Sequence, residues 1–562
     1  MSRAAVVRYH DGTKHHFYRF AQSLGYLDWA SQPNPFRSFQ GTKLIPLEFG
    51  QPGIERVAYD QLFEPGAVPP RELSAASIGG LFRHALGLSA WKRYRASEWA
   101  LRVNPSSGNL HPTEAYLVAG PVSGLSDTPG VYHYAPDRHC LETRAMFAGE
   151  RWRASCGSRG VCLIALTSIH WREAWKYGER AFRYCQHDLG HAIAALSFSA
   201  ALAGWRTALQ PAWSHRAIAS LVGIDRDEDY LDAEREEPAC VLLIAADNSV
   251  ASNWDVPPEL AEAARLGAWT GRANQLSEDH VEWTFIDEVA RATQDTGSRP
   301  ASSHARGAPP PLAPPAPPEG SRARAGRWRA IAARSIILQR RSALAFDGRS
   351  PIDRERFEQI LARVMPGPHA PWDALWWSSR IHLALFVHRV EGLDPGLYFL
   401  PRDQGALDRV DFFKAALRRD FLWEPVSERV PLVRLARGDY RRLAARLSCD
   451  QDIAADGFFS LAMLAEFDAS LAEFGPSFYR QLFWESGVVG QLLYLEAEAS
   501  GARATGIGCF FDDPVHEALG LSGHAFQSLY HFAIGVPVED ARLITAPGYA
   551  AEAAPRGAPA ID

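Results

Sequence analysis

The chain has 562 residues, of which 47% are hydrophobic and 22% are charged, and its formal net charge is −6. Two domains of about 200–280 residues fit this length better than one, and each would bury a substantial core. The net negative charge argues against a uniformly basic nucleic-acid-binding surface, and the lack of a long apolar run argues against a membrane-spanning helix.

The N-terminal residues 1–72 contain no recognisable motif, and we expect an N-terminal extension that forms an accessory layer or a substrate-recognition element. They lack the apolar stretch of a signal peptide, so we expect a cytoplasmic protein. His10, His15 and His16 lie close together there without a cysteine or acidic cluster nearby, and we expect exposed histidines and no metal site. The seven cysteines are scattered without a Cys-x-x-Cys pair, which is typical of a reducing compartment and argues against a disulfide framework or a zinc ribbon.

Residues 102–118 combine a turn of small residues with an apolar run. The turn from Pro105 to Gly108 has little side-chain bulk, so backbone N–H groups and the hydroxyls of Ser106 and Ser107 can approach a flat polar ring system. The apolar run at 115–118 predicts a strand that fixes the turn. Without a wider context, an ordinary loop before a strand explains these residues better.

Residues 171–184 form a second polar segment, with Lys176 and Tyr177 directly before a glycine. Charge spacing alone favours an exposed helix start stabilised by ion pairs, such as Glu173 with Lys176 and Glu179 with Arg183. Further along, the proline-rich run at 309–318 cannot form a packed core. It predicts a stiff linker at 291–326 that divides the chain into two halves of similar size.

The two halves share motifs in the same order. Gly190 and Gly204 in the first half are 14 positions apart, as are Gly487 and Gly501 in the second. The apolar residues between each pair predict a mostly buried central helix that ends at a C-cap glycine. Upstream, the Pro-Gly-Val-Tyr run at 129–132 matches the Pro-Gly-Leu-Tyr run at 395–398. Each half is therefore interpreted as one α+β unit, used twice.

In this order, the segments resemble those of nitroreductase-fold flavoenzymes, most closely the SagB-type dehydrogenases, which include azoline oxidases of peptide natural-product pathways. In these enzymes an Arg-x-x-Pro-Ser-x-Gly loop contacts the flavin, an Arg-Arg-Ser motif and a C-terminal cation hold the phosphate of FMN, and a Gly-x-Gly segment faces the ring. The resemblance implies the following FMN-binding residues: Arg102, Pro105, Ser106, Ser107, Asn109, Arg340, Arg341, Ser342, Gly506, Ile507, Gly508 and Arg542.

The chemistry of these residues suits that role, because a phosphate dianion favours charge-assisted, forked donors. Two simpler interpretations stay open from the residues alone. A basic, solvated helix face would explain Arg340 and Arg341, and a tight turn would explain Gly506 and Gly508. The motif also departs from the family pattern, because Leu344 stands where the family has a third arginine.

The implied fold class is α+β, with two tandem nitroreductase-like domains at 73–290 and 327–562 that form a pseudo-dimer within one chain. Nitroreductase-fold enzymes are ordinarily intertwined homodimers with FMN in the interface. Only one composite site has all its motifs here, so we expect one FMN per chain. The opposite site has Thr207-Ala208-Leu209 in place of the glycine segment and Trp376 and Trp377 in place of the serine loop. Further homo-oligomerisation stays open.

The resemblance also implies the reaction. The Lys-Tyr pair of the family takes part in proton abstraction, which makes Lys176 the general base and Tyr177 its partner. The implied activity is an FMN-dependent dehydrogenation of a heterocycle or amine-like substrate, as a small molecule or within a peptide, in specialised metabolism with biosynthetic partner enzymes. Two alternatives are an NAD(P)H-dependent nitroreductase or quinone reductase, and a non-catalytic flavin-binding or scaffold protein. No Gly-x-Gly-x-x-Gly follows a predicted strand, so we expect no separate dinucleotide domain.

Overall fold

The structure is a computed structural model that describes residues 2–50, 52–157, 160–246, 255–297, 331–402 and 409–553. The expected linker at 291–326 therefore lies outside the described residues from position 298 onward. No helix in these ranges has the length and apolarity that crossing a membrane requires.

The first half forms an antiparallel sheet of eight strands with helices on its faces. Its strands are Leu44–Pro46, Thr113–Ala119, Gly130–Ala135, Cys140–Met146, Val161–Ser168, Arg206–Leu209, Glu237–Ala245 and Ala268–Trp269. Its helices are Ser2–Gly12, Ala75–Ala85, Gly149–Cys156, His170–Tyr177, Ala181–Leu202, His215–Val222, Leu260–Arg265 and Thr284–Ala292.

The second half forms an antiparallel sheet of seven strands. Its strands are Ile381–Val387, Gly396–Leu400, Glu424–Pro425, Val433–Arg437, Phe459–Glu466, Arg503–Ile507 and Phe526–Gly535. Its helices are Ala333–Gln339, Arg354–Arg363, Val410–Ala416, Arg441–Leu447, Ile453–Asp456, Phe467–Phe474, Phe478–Ala499, Asp512–Leu519 and Ala550–Ala553.

The two sheets share one topology. Six strands of each sheet correspond, beginning with Thr113–Ala119 in the first half and Ile381–Val387 in the second. In both sheets their spatial order is third, second, first, fourth, sixth, fifth. The fold therefore consists of two mixed helix-and-strand units of the same design, as the repeated motifs predict.

Each unit has one long central helix, Ala181–Leu202 in the first and Phe478–Ala499 in the second. Both helices are buried along nearly their whole length, because their apolar residues extend around the helix rather than along one stripe. Gly204 and Gly501 follow the helix ends with φ angles of 73° and 70°. The predicted C-terminal glycines are thus confirmed, and the helices begin about ten residues earlier than the apolar pattern indicates.

The central helices cross at Gly190 and Gly487. A Cβ atom at Gly190 would lie 2.8 Å from Cα of Trp484, and a Cβ atom at Gly487 would lie 2.8 Å from Cα of Gly190 and still closer to the carbonyl oxygen of His187. Trp484 precedes Gly487 by the same three positions as His187 precedes Gly190. The contact is therefore repeated on both sides, as expected of an intrachain pseudo-dimer.

Each unit also extends an arm onto the other. The N-terminal helix Ser2–Gly12 reaches the second unit, where His10 hydrogen-bonds the Tyr479 hydroxyl at 3.2 Å and Gln527 Oε1 at 2.9 Å. The C-terminal strand Ile544–Pro547 pairs with Leu88–Tyr94 of the first half. The expectation that the N-terminal histidines are exposed is wrong for His10 and His15, which are buried because the second unit covers this arm.

Candidate functional site

A cavity of about 470 Å³ lies between the two units, and both units line it. Its size is in the usual range of ligand-binding clefts. Nearly all the predicted cofactor-binding residues meet here: Arg102, Pro105, Ser106, Ser107, Asn109, Arg340, Arg341, Ser342, Gly506, Ile507 and Gly508, together with Tyr177. The structure thus combines residues that are about 230–400 positions apart in the sequence.

Internal hydrogen bonds shape the serine loop of the first half. The backbone N–H of Ser107 and its hydroxyl both donate to Asp188 Oδ1, at 3.1 and 3.2 Å, and the backbone N–H of His111 donates to Ser106 Oγ at 2.8 Å. Gly108 has a φ of 59°, and Asn109 and His111 have similar positive values. The Asn109 amide donates to Ala100 O at 2.9 Å, so it helps to hold the loop in this strained backbone conformation.

Two buried carboxyl groups lie beneath this loop. Burial raises the pKa of Asp188 to about 7. Burial, and next the charge of Asp188, raise the pKa of Glu173 well above its usual range. Both Glu173 oxygens and Asp188 Oδ2 lack a hydrogen-bond partner among the described residues. The raised pKa favours the neutral form of the Glu173 carboxyl, and among the described residues Glu173 makes no ion pair with Lys176, unlike the pairing that charge spacing alone favours.

Lys176 and Tyr177 extend over the serine loop. A Cβ atom at Gly108 would lie 2.6 Å from the Tyr177 hydroxyl and 3.2 Å from Lys176 Nζ, so glycine is needed at this point. Burial, followed by the charge of Glu173, raises the pKa of Tyr177 well above its usual range, and its hydroxyl stays protonated. Lys176 is exposed rather than partly buried, because it follows the last buried residue of its helix, Trp175.

The ion-pair interpretation of the 171–184 segment is wrong. Arg183 is buried and pairs with Asp512 at 2.8 Å instead of with Glu179. Arg180 binds the same carboxylate at 2.9 Å. Both arginines therefore join the first central helix to the second unit, and the segment is part of the interior rather than an exposed helix start.

The guanidinium groups of Arg340 and Arg341 lie together at one part of the cavity lining, next to the backbone of Arg102. Arg340 donates to the carbonyl oxygens of Val103 and Arg102 at 2.8 and 3.0 Å, and Arg341 donates to Ser89 O at 2.8 Å. Within the described ranges, the guanidinium groups of Arg102, Arg340 and Arg341 hydrogen-bond carbonyl oxygens and no carboxylate.

The positive charge of this cluster is only partly compensated. Burial, and next the charge of Arg340, lower the pKa of Arg341 to about 10. Burial also lowers the pKa of Arg340 and of Arg102. A buried cation without a bonded carboxylate is costly, and an anionic ligand would relieve that cost. This part of the cavity is therefore suited to a phosphate.

The opposite lining comes from the glycine segment of the second unit. A Cβ atom at Gly506 would lie 2.8 Å from Cζ of Tyr530, and a Cβ atom at Gly508 would lie 2.5 Å from Cε1 of Tyr184. These aromatic rings leave room only for glycine, so the backbone itself forms the wall. The Tyr494 hydroxyl accepts from the Gly506 N–H at 2.9 Å and lies 2.8 Å from Ser342 Oγ, which joins two of the predicted motifs.

Two predicted site residues are not among those that line the cavity, namely Lys176 and Arg542. The exposed Arg542 side chain forms an ion pair with Asp540 at 2.8 Å, in the segment between the last sheet strand and the C-terminal arm. Several lining residues were missed by the sequence analysis: Asn104, His111, Tyr184, Asp188, His191, Tyr494 and Tyr530. Of these, Asp188 stands two positions before the glycine of the repeated helix motif, and Asn104, His111 and Tyr184 lie within the segments 102–118 and 171–184 that the sequence analysis singled out.

The pseudo-symmetric position in the second unit is filled by side chains. Glu485 occupies the helix position equivalent to Asp188, and it accepts from Ser379 Oγ at 2.7 Å and from Trp377 Nε1 at 3.1 Å. It also pairs with Arg402 at 2.9 Å. Trp376 packs edge-on against Phe474, with ring centroids 5.6 Å apart. Phe474 occupies the helix position that Tyr177 has in the first unit. Both oxygens of the Glu485 carboxylate thus have hydrogen-bond partners, whereas Asp188 Oδ2 has none among the described residues.

Residues 337–536 match the sequence profile of the nitroreductase family. The structure of a putative nitroreductase from Anabaena variabilis is similar over 95% of this chain and 99% of its own, with 21% identity and a TM-score of 0.67. The chain has the nitroreductase fold. No curated protein sequence matches it.

Two other solved structures resemble a part of the chain. One is the E. coli microcin synthetase McbBCD complex with truncated pro-MccB17 bound, at 18% identity over 36% of this chain and 70% of the matched chain, with a TM-score of 0.27. The other is the NADPH:FMN oxidoreductase from Vibrio harveyi in complex with NAD⁺, at 16% identity over 36% of this chain and 68% of that chain, with a TM-score of 0.22.

Proposed function

We propose that the protein is an FMN-dependent oxidoreductase of the SagB type, which dehydrogenates a heterocycle or amine-like substrate in specialised metabolism. The observation that carries the proposal is the composite cavity, to which each unit contributes the motif that the other lacks. Both units are needed, so the tandem arrangement serves as a dimer fused in one chain. The scattered cysteines support a cytoplasmic setting, and biosynthetic partner enzymes are part of the same proposal.

The residues present fit FMN on the grounds of their chemistry. The cluster of Arg340 and Arg341 offers only partly compensated positive charge for a phosphate, with the Ser342 hydroxyl beside it. The serine loop and the glycine segment offer small side chains and backbone at the walls, where a flat ring system requires close approach. When bound, FMN would supply the hydride-accepting chemistry, and the protein would supply position and proton handling.

Proton handling falls to Lys176 and Tyr177. The Tyr177 hydroxyl stays protonated, so it acts as a hydrogen-bond donor that orients the substrate. Lys176 Nζ is the amine nitrogen closest to Gly108 of the serine loop, and in its free-amine form it takes the substrate proton to become an ammonium. The raised pKa of the Glu173 carboxyl beneath them favours its neutral form, which weakens the competition of an ion pair for this amine.

One FMN per chain is the proposed stoichiometry. At the pseudo-symmetric position, Trp376 and Trp377 occupy the place of the serine loop, and Glu473 and Phe474 occupy the helix positions equivalent to Lys176 and Tyr177. That position therefore lacks both a small-residue wall and the amine that Lys176 provides, and its Glu473 carboxylate is paired with Arg380.

A set of three variants tests the proposal. Arg340→Ala should lose FMN on gel filtration, whereas Arg542→Ala, which removes a cation outside the cavity lining, should retain it. Lys176→Ala should keep FMN and its visible spectrum, but anaerobic flavin bleaching by an azoline-containing peptide should slow by about 10²–10⁴. Equal FMN retention by all three variants, together with unchanged bleaching in Lys176→Ala, would contradict both assignments.

The alternative activities give distinct results in the same preparations. Steady oxidation of NADPH without a peptide substrate, at equal rates in the wild type and Lys176→Ala, would indicate a pyridine-nucleotide-driven reductase. A colourless wild-type protein that does not take up added FMN would indicate a scaffold. Circular dichroism of each variant shows whether a loss of flavin reflects the site or unfolding.

A further inference from the structure

Three potential metal ligands from distant segments meet at the edge of the cavity. One imidazole nitrogen of His15 and the Sγ atoms of Cys449 and Cys509 lie within 4.8 Å of one another. Cys509 lines the cavity directly after Gly508, and its Sγ is 3.8 Å from His15 Nδ1. The proposed proton transfer uses none of these groups.

The distance between Cys509 Sγ and His15 Nδ1 is close to the ligand separation in a zinc site. Zinc bonds are about 2.3 Å to sulfur and about 2.0–2.1 Å to nitrogen, so two such ligands at tetrahedral positions lie about 3.6 Å apart. The observed distance from Cys509 Sγ to His15 Nδ1 exceeds this by about 0.2 Å. The distances to Cys449 Sγ are at most 4.8 Å, so this side chain would have to move inward by up to about 1 Å to complete the geometry.

The two cysteines differ from the other five. Cys449 and Cys509 are partly exposed, whereas the remaining cysteines are buried. Cys449 has a φ of 55°, a left-handed conformation that is uncommon for a residue with a side chain and that concentrates at functional sites. Backbone contacts hold the other two ligands, because the His15 N–H donates to Asp512 at 2.8 Å and Gln451 donates to Cys509 O at 3.1 Å.

We propose that His15, Cys449 and Cys509 bind one Zn²⁺, with an exchangeable fourth position open to water or to a ligand in the cavity. Two thiolates and one imidazole form a donor set that zinc favours, and the thiolate charges balance that of the ion. Because His15 belongs to the N-terminal arm and both cysteines to the second unit, the ion would also fasten that arm. The sequence suggested no metal site because His15 is more than 400 positions from either cysteine and the two cysteines are 60 positions apart.

The test measures zinc in the full-length protein as purified and after chelation. The wild type should contain about one Zn²⁺ per chain, and the chelated protein should regain it when ZnCl₂ is added. Cys449→Ser, Cys509→Ser and His15→Asn should each weaken Zn²⁺ binding by at least about 100-fold, because even a residue that only supports a ligand costs about 10–100-fold. His16→Asn, at the adjacent position, and Cys140→Ser, at a buried cysteine, should bind Zn²⁺ like the wild type.

Two results would overturn the proposal. One is a wild-type protein that neither contains zinc nor binds ZnCl₂ more tightly than Cys509→Ser does. The other is mass-spectrometric detection of a Cys449–Cys509 disulfide in protein purified without reductant, which would indicate a redox pair. If a ligand variant fails to fold, the thermal midpoint of the chelated wild type decides, since ZnCl₂ should raise it and the same addition should leave folded Cys449→Ser or His15→Asn unchanged.

Discussion

Replacing the glycines at the crossing of the central helices with alanine should cost more stability through overpacking than it gains through helix propensity. At Gly190 an added Cβ would lie 2.8 Å from a backbone atom of Trp484, whereas ordinary contacts begin at 3.4 Å. The helix backbones must therefore separate by at least about 0.6 Å. Overpacking typically costs about 1–3 kcal/mol, and here backbone rather than a flexible side chain must move. Gly→Ala in a helix returns about 1 kcal/mol through helix propensity.

We therefore expect Gly190→Ala and Gly487→Ala each to lower the free energy of unfolding by about 2 kcal/mol, and to weaken FMN retention because Asp188 and Tyr494 lie on these helices. Thermal unfolding followed by circular dichroism, with flavin fluorescence on release, measures both effects. Gly149→Ala is the control, since its added Cβ would lie an ordinary 3.6 Å from Arg153. A Gly190→Ala variant as stable as this control would show that the helices do not cross at these glycines.

Three further variants probe the cavity and the pseudo-symmetric position. Burial raises the pKa of Asp188 from 3.8 to about 7, so its contribution to stability is lost as the pH rises through that window. The free energy of unfolding of Asp188→Asn, relative to that of the wild type, should thus increase by roughly 2–3 kcal/mol from about pH 5 to about pH 8 in denaturant titrations. A difference that does not change with pH would be inconsistent with the raised pKa. Tyr494→Phe, which removes the hydroxyl shared by Ser342 and Gly506, should weaken FMN binding about tenfold in fluorescence titrations, and unchanged affinity would make that contact irrelevant. Trp377→Ala should cost about 3–5 kcal/mol of stability without adding a second flavin, and two flavins per chain would show that the tryptophan alone blocks the opposite site.

Local patterns were sufficient to predict the elements of the fold. The spacing of Gly190 and Gly204, repeated at Gly487 and Gly501, predicts both central helices and their ends because burial and C-capping depend on neighbouring residues. The helix starts were missed because the polar residues there, including Arg183, pair with the other unit. Such pairing is invisible to a local hydrophobic pattern.

The motifs of the candidate site were found in the sequence, but the groups that hold them were not. Ser106 and Ser107 belong to a recognisable turn, whereas the carboxylate that fixes the turn, Asp188, reaches it from the central helix. Lys176 belongs to a recognisable segment, but its exposure depends on where its helix ends. The burial of His15 likewise depends on packing between units, which no spacing in the sequence encodes.

The most direct test of the composite site is the amount of flavin per chain. The protein is purified, its cofactor is released by denaturation, and FMN is quantified against protein concentration. We expect about one FMN per chain in the wild type. Two FMN per chain would show that the position at Trp376 and Trp377 still binds the cofactor, and none after reconstitution with added FMN would show that the two units do not form a flavin site.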